Sequence, residues 1–512
     1  MTAGDKQNLR TSSYTIYVDL PDDPDHVLLV HGYTGAYDRV ARHVADYLLA
    51  LETEPAPKPL YGEWVSDPSA RPKNEHTREP SDETIAILKR RGYLTTKTAD
   101  QEVGYLARLV KHMHARAGQN MPSYLFMPTY DCNLRCSYCF QDHMRTDARF
   151  RHLLRTMSPE MVDRIMLALP TIEESRGIPK NGKVPRRIGF FGGEPLLAAN
   201  RPIVEYIMTA ARKLGPATFW AVTNATELDA YEDLLGPHGI DYVQITFDGP
   251  PEEHDRRRIY PDGSGSFERI AANIDLCLAK GVRVTTRMNI DRENVNQLPA
   301  LAREIVRRGW NQHAHFATYT APIHPSTPAE FAQLKSRYFT SWELDEAIDA
   351  LRAIHPEMRV IGRPDDWMHV RARSVFEKRS DPRPYFKSGF CGAHSSMYLF
   401  DAFGDMYACW EQTGDPSIRI GRVLENGEVE MNEPMNRLWR TRTAASNPTC
   451  RRCRYALHCG GGCTVLAFRT NGKYHSNYCD AFGERFRHAI ATAYQEFVQG
   501  GTTVGQEPLC AV

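Results

Sequence analysis

Six short apolar runs recur between residues 121 and 320: SYLFMPTY, RRIGFF, TFWAVT, YVQITF, VRVTTRMNI and AHFATYT. Amphipathic segments such as PEMVDRIMLALP and FERIAANIDLCLAK separate them, their apolar positions spaced three and four apart as on one face of a helix. Repetition of strand, helix and strand predicts an α/β fold with a parallel sheet, and six strands fit a partial (β/α)6 TIM-like barrel over residues 121–325. Ahead of it, YTIYVDL and HVLLVHG predict two strands, DRVARHVADYLLAL a helix and LKRRGYL the end of another, with a Pro- and charge-rich loop over 54–80. These make a small α+β domain over residues 1–110. Behind the barrel, PAEFAQLKSRYFTSWELDEAIDALRAI predicts a helical bridge spanning 326–385. Periodicity then fades over a Cys- and Gly-rich stretch, 386–485, where ligand bonds are expected to stand in for a large core, before a C-terminal helix and tail at 486–512.

Composition narrows the function classes. The chain has 512 residues, 42% of them apolar, enough for more than one core. Lys plus Arg and Asp plus Glu number 63 each, so no basic field for nucleic acid or anionic lipid stands out. The N-terminal MTAGDKQNLRTSSY lacks an apolar signal-peptide core, and no stretch is apolar enough to span a bilayer. A cytoplasmic protein with no nucleic-acid or membrane partner is expected. In that compartment 12 cysteines argue for metal, cluster or catalytic use rather than disulfides. Ten fall in two groups: Cys132, Cys136 and Cys139, then Cys391, Cys409, Cys450, Cys453, Cys459, Cys463 and Cys479.

The first group, CNLRCSYCF, follows the strand-like SYLFMPTY, on the face of a barrel where active sites lie. A cubane cluster normally takes four thiolates, so three close cysteines leave one iron open to an outside ligand. A zinc site short of one ligand, or chance clustering, is the plainer alternative. This spacing resembles that of the radical S-adenosylmethionine (SAM) superfamily. The resemblance implies a 4Fe-4S cluster on Cys132, Cys136 and Cys139 whose free iron is held by SAM, with one electron cleaving SAM to a 5′-deoxyadenosyl radical.

The order of further motifs extends this resemblance over about 200 residues. FFGGEP after the second strand is similar to the family's GGEP, where Gly192 and Gly193 give backbone and Glu194 gives a carboxylate to the methionine ammonium. TNAT stands where many relatives have TNG, leaving the tight turn after Thr223 and Asn224 open. ITFDGPPEEHDRRR places Thr246 and Arg258 where relatives hold the SAM ribose and carboxylate; Tyr138 and Asn224 complete the implied SAM set. Asp248, His254 and Asp255 read equally as loop-fixing groups. Arg287 and Asn289 alternate on the fifth strand and both face the barrel interior, as SAM or substrate contacts or as a structural pair.

The seven C-terminal cysteines resemble the SPASM domain, which implies two auxiliary clusters and three clusters in all. By that analogy Cys450, Cys453, Cys459 and Cys479 hold one, and Cys391, Cys409 and Cys463 the other. The fourth position of the latter is left to an open iron, Cys510 or an oxygen ligand. A zinc ribbon is the alternative for the CRRC spacing.

The N-terminal strand pair and helices ending in LKRRGYLT resemble the winged-helix, PqqD-like domains of enzymes that modify ribosomally made peptides. That implies a peptide substrate with a leader segment, received as an added strand, and a low-potential donor such as a flavodoxin or ferredoxin. A plain structural extension is the other reading. LLVHG suggests a serine-hydrolase strand end, but no G-x-S-x-G follows. Cys277, among apolar neighbours, reads as core, and His112 and His114 as a solvated helix face. The expected activity is that of a radical SAM/SPASM oxidoreductase that matures a peptide by crosslinking or oxidation. The alternatives are an anaerobic sulfatase-type maturase forming formylglycine and, in another class, a non-catalytic iron–sulfur or zinc protein. No residue is singled out as catalytic acid or base.

Overall fold

The computed structural model describes residues 9–52, 78–179, 184–326, 330, 334–364, 366–379, 381 and 383–500. Most of the 54–80 loop, and Cys510, lie outside them. The chain forms two compact units: one from residues 1–116, 365–391 and 441–510, the other from 117–364 and 392–440 with the last two residues.

In the first unit, β1 (Arg10–Thr11) pairs antiparallel with β5 (Leu94–Thr95). Between them in sequence, β2 (Thr15–Asp19), β3 (His26–His31) and β4 (Tyr37–Ala41) form an antiparallel meander. Alternation along β2 and β3 serves both faces of this sheet. Ile16, Val18, Leu28 and Val30 pack with Met368 and Ala372 of helix Asp366–Phe376 and with Phe482, Phe486 and Ile490 of helix Phe482–Val498. Tyr17, Val27 and Leu29 pack on the opposite side with Val44 and Leu48 of helix Arg42–Ala50 and Ile85 and Leu88 of helix Asp82–Arg91.

The helical pattern read from DRVARHVADYLLAL is corrected here, because its first four residues belong to β4 and the helix starts at Arg42. The physical reason is hydrogen bonding: a buried β3 needs a partner for its backbone on both sides, and β4 returns through a turn closed by His31 N–H donating to Ala36 O at 2.9 Å, with Gly35 at φ 76°. Pairing with a neighbouring strand outweighs a local 3.6-residue pattern.

The second unit is built on a ten-stranded mixed sheet. Its six parallel strands are those the apolar runs predict: β6 (Ser123–Phe126), β8 (Arg186–Phe190), β9 (Ala217–Thr223), β10 (Ile240–Thr246), β12 (Arg283–Ile290) and β13 (Phe316–Pro322), in the order β6-β8-β9-β10-β12-β13. A two-stranded pair, β7 (Arg135–Cys136) with β11 (Arg258–Ile259), lies outside the sheet. Crossovers carry helices Pro159–Ser175, Arg201–Leu214, Phe267–Ala279 and Leu298–Arg307; β9 to β10 is bridged by the 3-10 turn Leu228–Leu234. Four strands then extend the β6 edge: β14 (Met397–Phe400) pairs parallel with β6, and β15 (Asp405–Tyr407), β16 (Gly421–Val423) and β17 (Val429–Met431) follow antiparallel. Runs of three or four residues are too short for periodicity to reveal, which is why this extension is invisible in the sequence. Parallel pairing puts the carboxyl ends of β6, β8, β9, β10 and β12 at one edge, and the motif loops leave from there.

Candidate functional site

The loop after β6 carries Cys132, Cys136 and Cys139. Cys136 sits on β7 with Arg258 of β11 opposite it. The three thiols lie close enough to act on one another: burial first, then neighbouring negative groups, pushes Cys132 up to about 11 and Cys136 up to about 12. Donors stand ready for two of the sulfurs. Leu134 N–H and Asn224 Nδ2 reach Cys132 Sγ at 3.4 and 3.7 Å, and Arg145 Nη2 reaches Cys139 Sγ at 3.2 Å. Nothing in the sequence marks Arg145; its role emerges from helix His143–Thr146 turning it back on the loop.

Gly192 and Gly193 are required by contact. A Cβ on Gly192, at φ 143°, would lie 2.4 Å from Thr129 O, and one on Gly193 would lie 2.1 Å from Asp131 O. Gly193 N–H donates to Thr129 O at 3.1 Å and Glu194 N–H to Asp131 O at 2.7 Å, so this turn is stitched to the segment entering Cys132. Glu194 is only 2% exposed. Its Oε1 accepts from Thr223 Oγ1 at 2.6 Å and Leu196 N–H at 2.9 Å, and its Oε2 from Asn224 N–H at 2.5 Å. Burial outweighs these donors and raises Glu194 to about 7.

The TNAT turn closes tightly without glycine: Ala225 takes φ 64°, and Ala225 N–H, Thr226 N–H and Thr226 Oγ1 are held by Thr223 Oγ1 and Asn224 Oδ1. Asn224 Nδ2 also donates to Asn133 Oδ1 at 2.8 Å, joining this turn to the cysteine loop.

Tyr138, Arg258, Asp248 and Asn289 form one buried network. The Tyr138 hydroxyl donates to Asp248 Oδ2 and accepts from Arg258 Nη1 at 2.8 Å and Asn289 Nδ2 at 3.1 Å. Arg258 Nε is buried with no hydrogen-bond partner among the described residues. Thr246 ends β10 half-buried, opposite Arg287 in register. His254 Nδ1 accepts from Asp248 N–H and Asp255 Oδ1 from Ser266 and Phe267 N–H, both at 2.8 Å, which ties their loop, while the Asp248 carboxylate takes part in the network above. Arg287 Nε pairs with Asn289 Oδ1 at 2.9 Å.

Cys450, Cys453, Cys459 and Cys479 gather in the first unit. Burial, then the other three, raises Cys450 well above the ordinary thiol range, and Cys479 is pushed up to about 12. Three successive left-handed glycines, Gly460, Gly461 and Gly462, shape the turn after Cys459. A Cβ on Gly462 would overlap Tyr478 O at 1.8 Å. Arg442, 2% exposed, is the residue that sequence reasoning missed. Its guanidinium donates to the carbonyls of Gly461, Gly462, Tyr474 and Ser476 at 2.7–3.0 Å, amid Cys450, Cys463, Cys391 and Cys459. Cys391 and Cys463 belong to this unit and Cys409 to the other, just after β15. Among the described residues no group of three or more His, Cys, Asp or Glu is drawn up around a single ion.

Of the remaining sequence candidates, Cys277 is fully buried, His112 is exposed and His114 lies 3.4 Å from Ser388 Oγ. His31 is buried against Ser12 Oγ at 3.0 Å. No helix among the described residues is long and apolar enough to cross a membrane.

Residues 126–305 match the family described as the radical SAM superfamily. Fe-coproporphyrin III synthase of Methanosarcina barkeri is 27% identical over 195 residues, 38% of this chain and 43% of that protein. This chain thus spans less than half of the length of that relative. A cysteine-type anaerobic sulfatase-maturating enzyme of Clostridium novyi is 20% identical over 378 residues, 70% of this chain and 93% of that protein. Among solved structures, anSMEcpe with bound AdoMet and a Cp18Cys peptide shares the fold at a TM-score of 0.51 and 15% identity, over 74% of this chain and all of that one.

Proposed function

From the radical SAM domain that residues 126–305 form, we propose a radical SAM/SPASM enzyme that matures a peptide substrate. The carrying observation is the convergence of the three-cysteine loop, the GGEP turn and the TNAT turn at one sheet edge, joined by Gly193–Thr129, Glu194–Asn224 and Asn224–Asn133 bonds.

The residues fit the groups this reading needs. Three neighbouring thiols on one loop, with N–H donors on two of them, suit a 4Fe-4S cluster, since such donors stabilise sulfur-borne negative charge. When bound, the cluster supplies the electron that splits SAM into methionine and a 5′-deoxyadenosyl radical. Because the N–H groups of Gly193 and Glu194 are spent on Thr129 and Asp131, the turn offers carbonyls, which suit an ammonium. Arg258, its Nε bare, would meet a carboxylate, while its Nη1 donates to the Tyr138 hydroxyl, which Asn289 Nδ2 holds in turn. Thr246 would offer its hydroxyl to the ribose. Arg287 and Asn289, paired with each other on β12, would stand beside this SAM set. Cys450, Cys453, Cys459 and Cys479 would hold one auxiliary cluster, with Arg442 fixing its loops.

The 5′-deoxyadenosyl radical would take one hydrogen atom from a peptide residue and leave as 5′-deoxyadenosine, and loss of a proton and of a second electron, which an auxiliary cluster would accept, would give the crosslinked or oxidised product, while a flavodoxin- or ferredoxin-class donor supplies the electron that cleaves SAM. The β2-β3-β4 sheet ends in β4, and an outer strand of this kind can receive a leader peptide. A second reading, oxidation of a Cys or Ser to formylglycine in a protein, is favoured by the length over which the chain aligns with the C. novyi maturase. Mass spectrometry separates the two. A short peptide encoded beside the gene is co-expressed anaerobically with wild type or with Cys132, Cys136 and Cys139 all changed to Ala. Loss of hydrogen mass with wild type alone supports the peptide reading. An unchanged peptide beside active SAM cleavage shifts the assignment to sulfatases.

A further inference from the structure

Arg145 is a buried cation at the three-cysteine loop. Its side chain is 1% exposed, although it stands on a helix of only four residues, His143–Thr146. The guanidinium spans the loop from end to end. Nη1 donates at 3.3 Å to the carbonyl of Tyr130, two residues ahead of Cys132, and Nη2 donates to Cys139 Sγ at 3.2 Å. Its Nε is buried with no hydrogen-bond partner among the described residues. Asp142 Oδ1 lies 3.8 Å from Nη2, beyond hydrogen-bonding range, and that oxygen also has no hydrogen-bond partner among the described residues.

A guanidinium taken out of water loses hydration, and it keeps its charge only where anions compensate. Burial works against the charge on Arg145, and the sulfurs of Cys139 and Cys132, ahead of Asp142, outweigh that loss and favour it. The compensation therefore comes mainly from sulfur. Arg258, which stands opposite Cys136, is held by Tyr138 and is assigned above to the SAM carboxylate. Arg145 has no such second duty, because its side-chain hydrogen bonds among the described residues are those to Tyr130 and Cys139.

Three thiolates give a 4Fe-4S cluster an excess of negative charge, and the electron that starts SAM cleavage adds one more. A fixed cation in a water-poor position favours the more negative, reduced form, and a charge-assisted hydrogen bond to a ligand sulfur acts in the same direction.

We infer that Arg145 sets the reduction potential of the SAM-binding cluster: by donating to the Cys139 thiolate it stabilises the form that has gained one electron from the flavodoxin- or ferredoxin-class donor, with no bond made or broken. The inference rests on the radical SAM reading and adds to it the residue that brings the cluster within reach of such a donor.

The test is a redox titration of the full-length enzyme with its clusters reconstituted, followed by electron paramagnetic resonance. The SAM-binding cluster is identified by the change in its signal when SAM is added, and by loss of that change when Cys132, Cys136 and Cys139 are all Ala. In Arg145→Met the ratio of reduced to oxidised SAM-binding cluster at a given potential should fall at least about tenfold, which is a midpoint about 59 mV lower. Arg145→Lys keeps the charge and should recover most of that loss. Asp142→Asn removes the carboxylate beside Arg145 but neither of its hydrogen bonds, and should raise the ratio above that of wild type. A bracing role alone would lower iron content or melting temperature and leave the midpoints unmoved. If Arg145→Met fails to hold the cluster, Asp142→Asn decides, and a ratio at or below the wild-type value overturns the inference. A SAM-responsive signal in wild type with an unmoved Arg145→Met midpoint overturns the role of Arg145 and leaves the radical SAM reading standing. No SAM-responsive signal in wild type overturns both.

Discussion

Gly193 illustrates how little room the site leaves. A methyl group there would sit 2.1 Å from Asp131 O and 2.3 Å from Tyr130 O, and both are backbone atoms with no side-chain freedom to move aside. Gly193→Ala is therefore expected to cost at least about 2 kcal/mol and to displace the segment leading to Cys132, with iron content the measurement. Glu194 gives a pH signature. Raised to about 7 by burial, it is protonated below that value, so SAM affinity of the reconstituted enzyme should fall as pH drops through about 7; Glu194→Gln should bind weakly with no such slope, by calorimetry. Asp401 gives a stability signature. Burial first, then the neighbouring Asp405, raises it to about 7, and it accepts from Tyr130 OH at 3.1 Å. A carboxyl raised on folding contributes most when protonated, so its contribution is present at low pH and lost as pH climbs from the ordinary value through about 7. Asp401→Asn should thus be more stable than wild type at pH 8, by on the order of 3 kcal/mol, with the advantage shrinking toward pH 5 in thermal melts. The cysteines and glycines of this site are legible in sequence because chemistry fixes their type and spacing. Asp401 and Arg442 are not, because each acts across a separation that no local pattern records, and Arg145, though close to Cys139 in sequence, reaches it only through a turn that no motif marks.

At the scale of elements, the six parallel strands could be read from apolar runs because all but β13 are buried along most of their length. The reading failed where pairing outweighed pattern, as in β4, and where strands were too short to have a pattern, as in β14 to β17. The turn after Cys459 tests whether one buried side chain can organise an element. Arg442 ties four carbonyls from two segments, so Arg442→Met strands those acceptors and should lower the melting stability by about 3 kcal/mol or more. Arg442→Lys, with fewer donors in a different geometry, should recover only part of this.

For the molecule as a whole, three clusters would give about twelve irons per chain, and changing Cys450, Cys453 and Cys459 together to Ala should remove about four while leaving SAM cleavage measurable. The first unit also bears on how such a chain can be cut. Its N-terminal meander shares one apolar face with helices that the gene encodes some 350 and 460 residues later, Asp366–Phe376 and Phe482–Val498. Trimming the first 116 residues would leave those helices with a bared oily stripe, and the meander made alone would have the same problem in reverse. Neither fragment keeps that face covered when cut from the other, so a graft that moves the meander into another protein has to bring both helices with it.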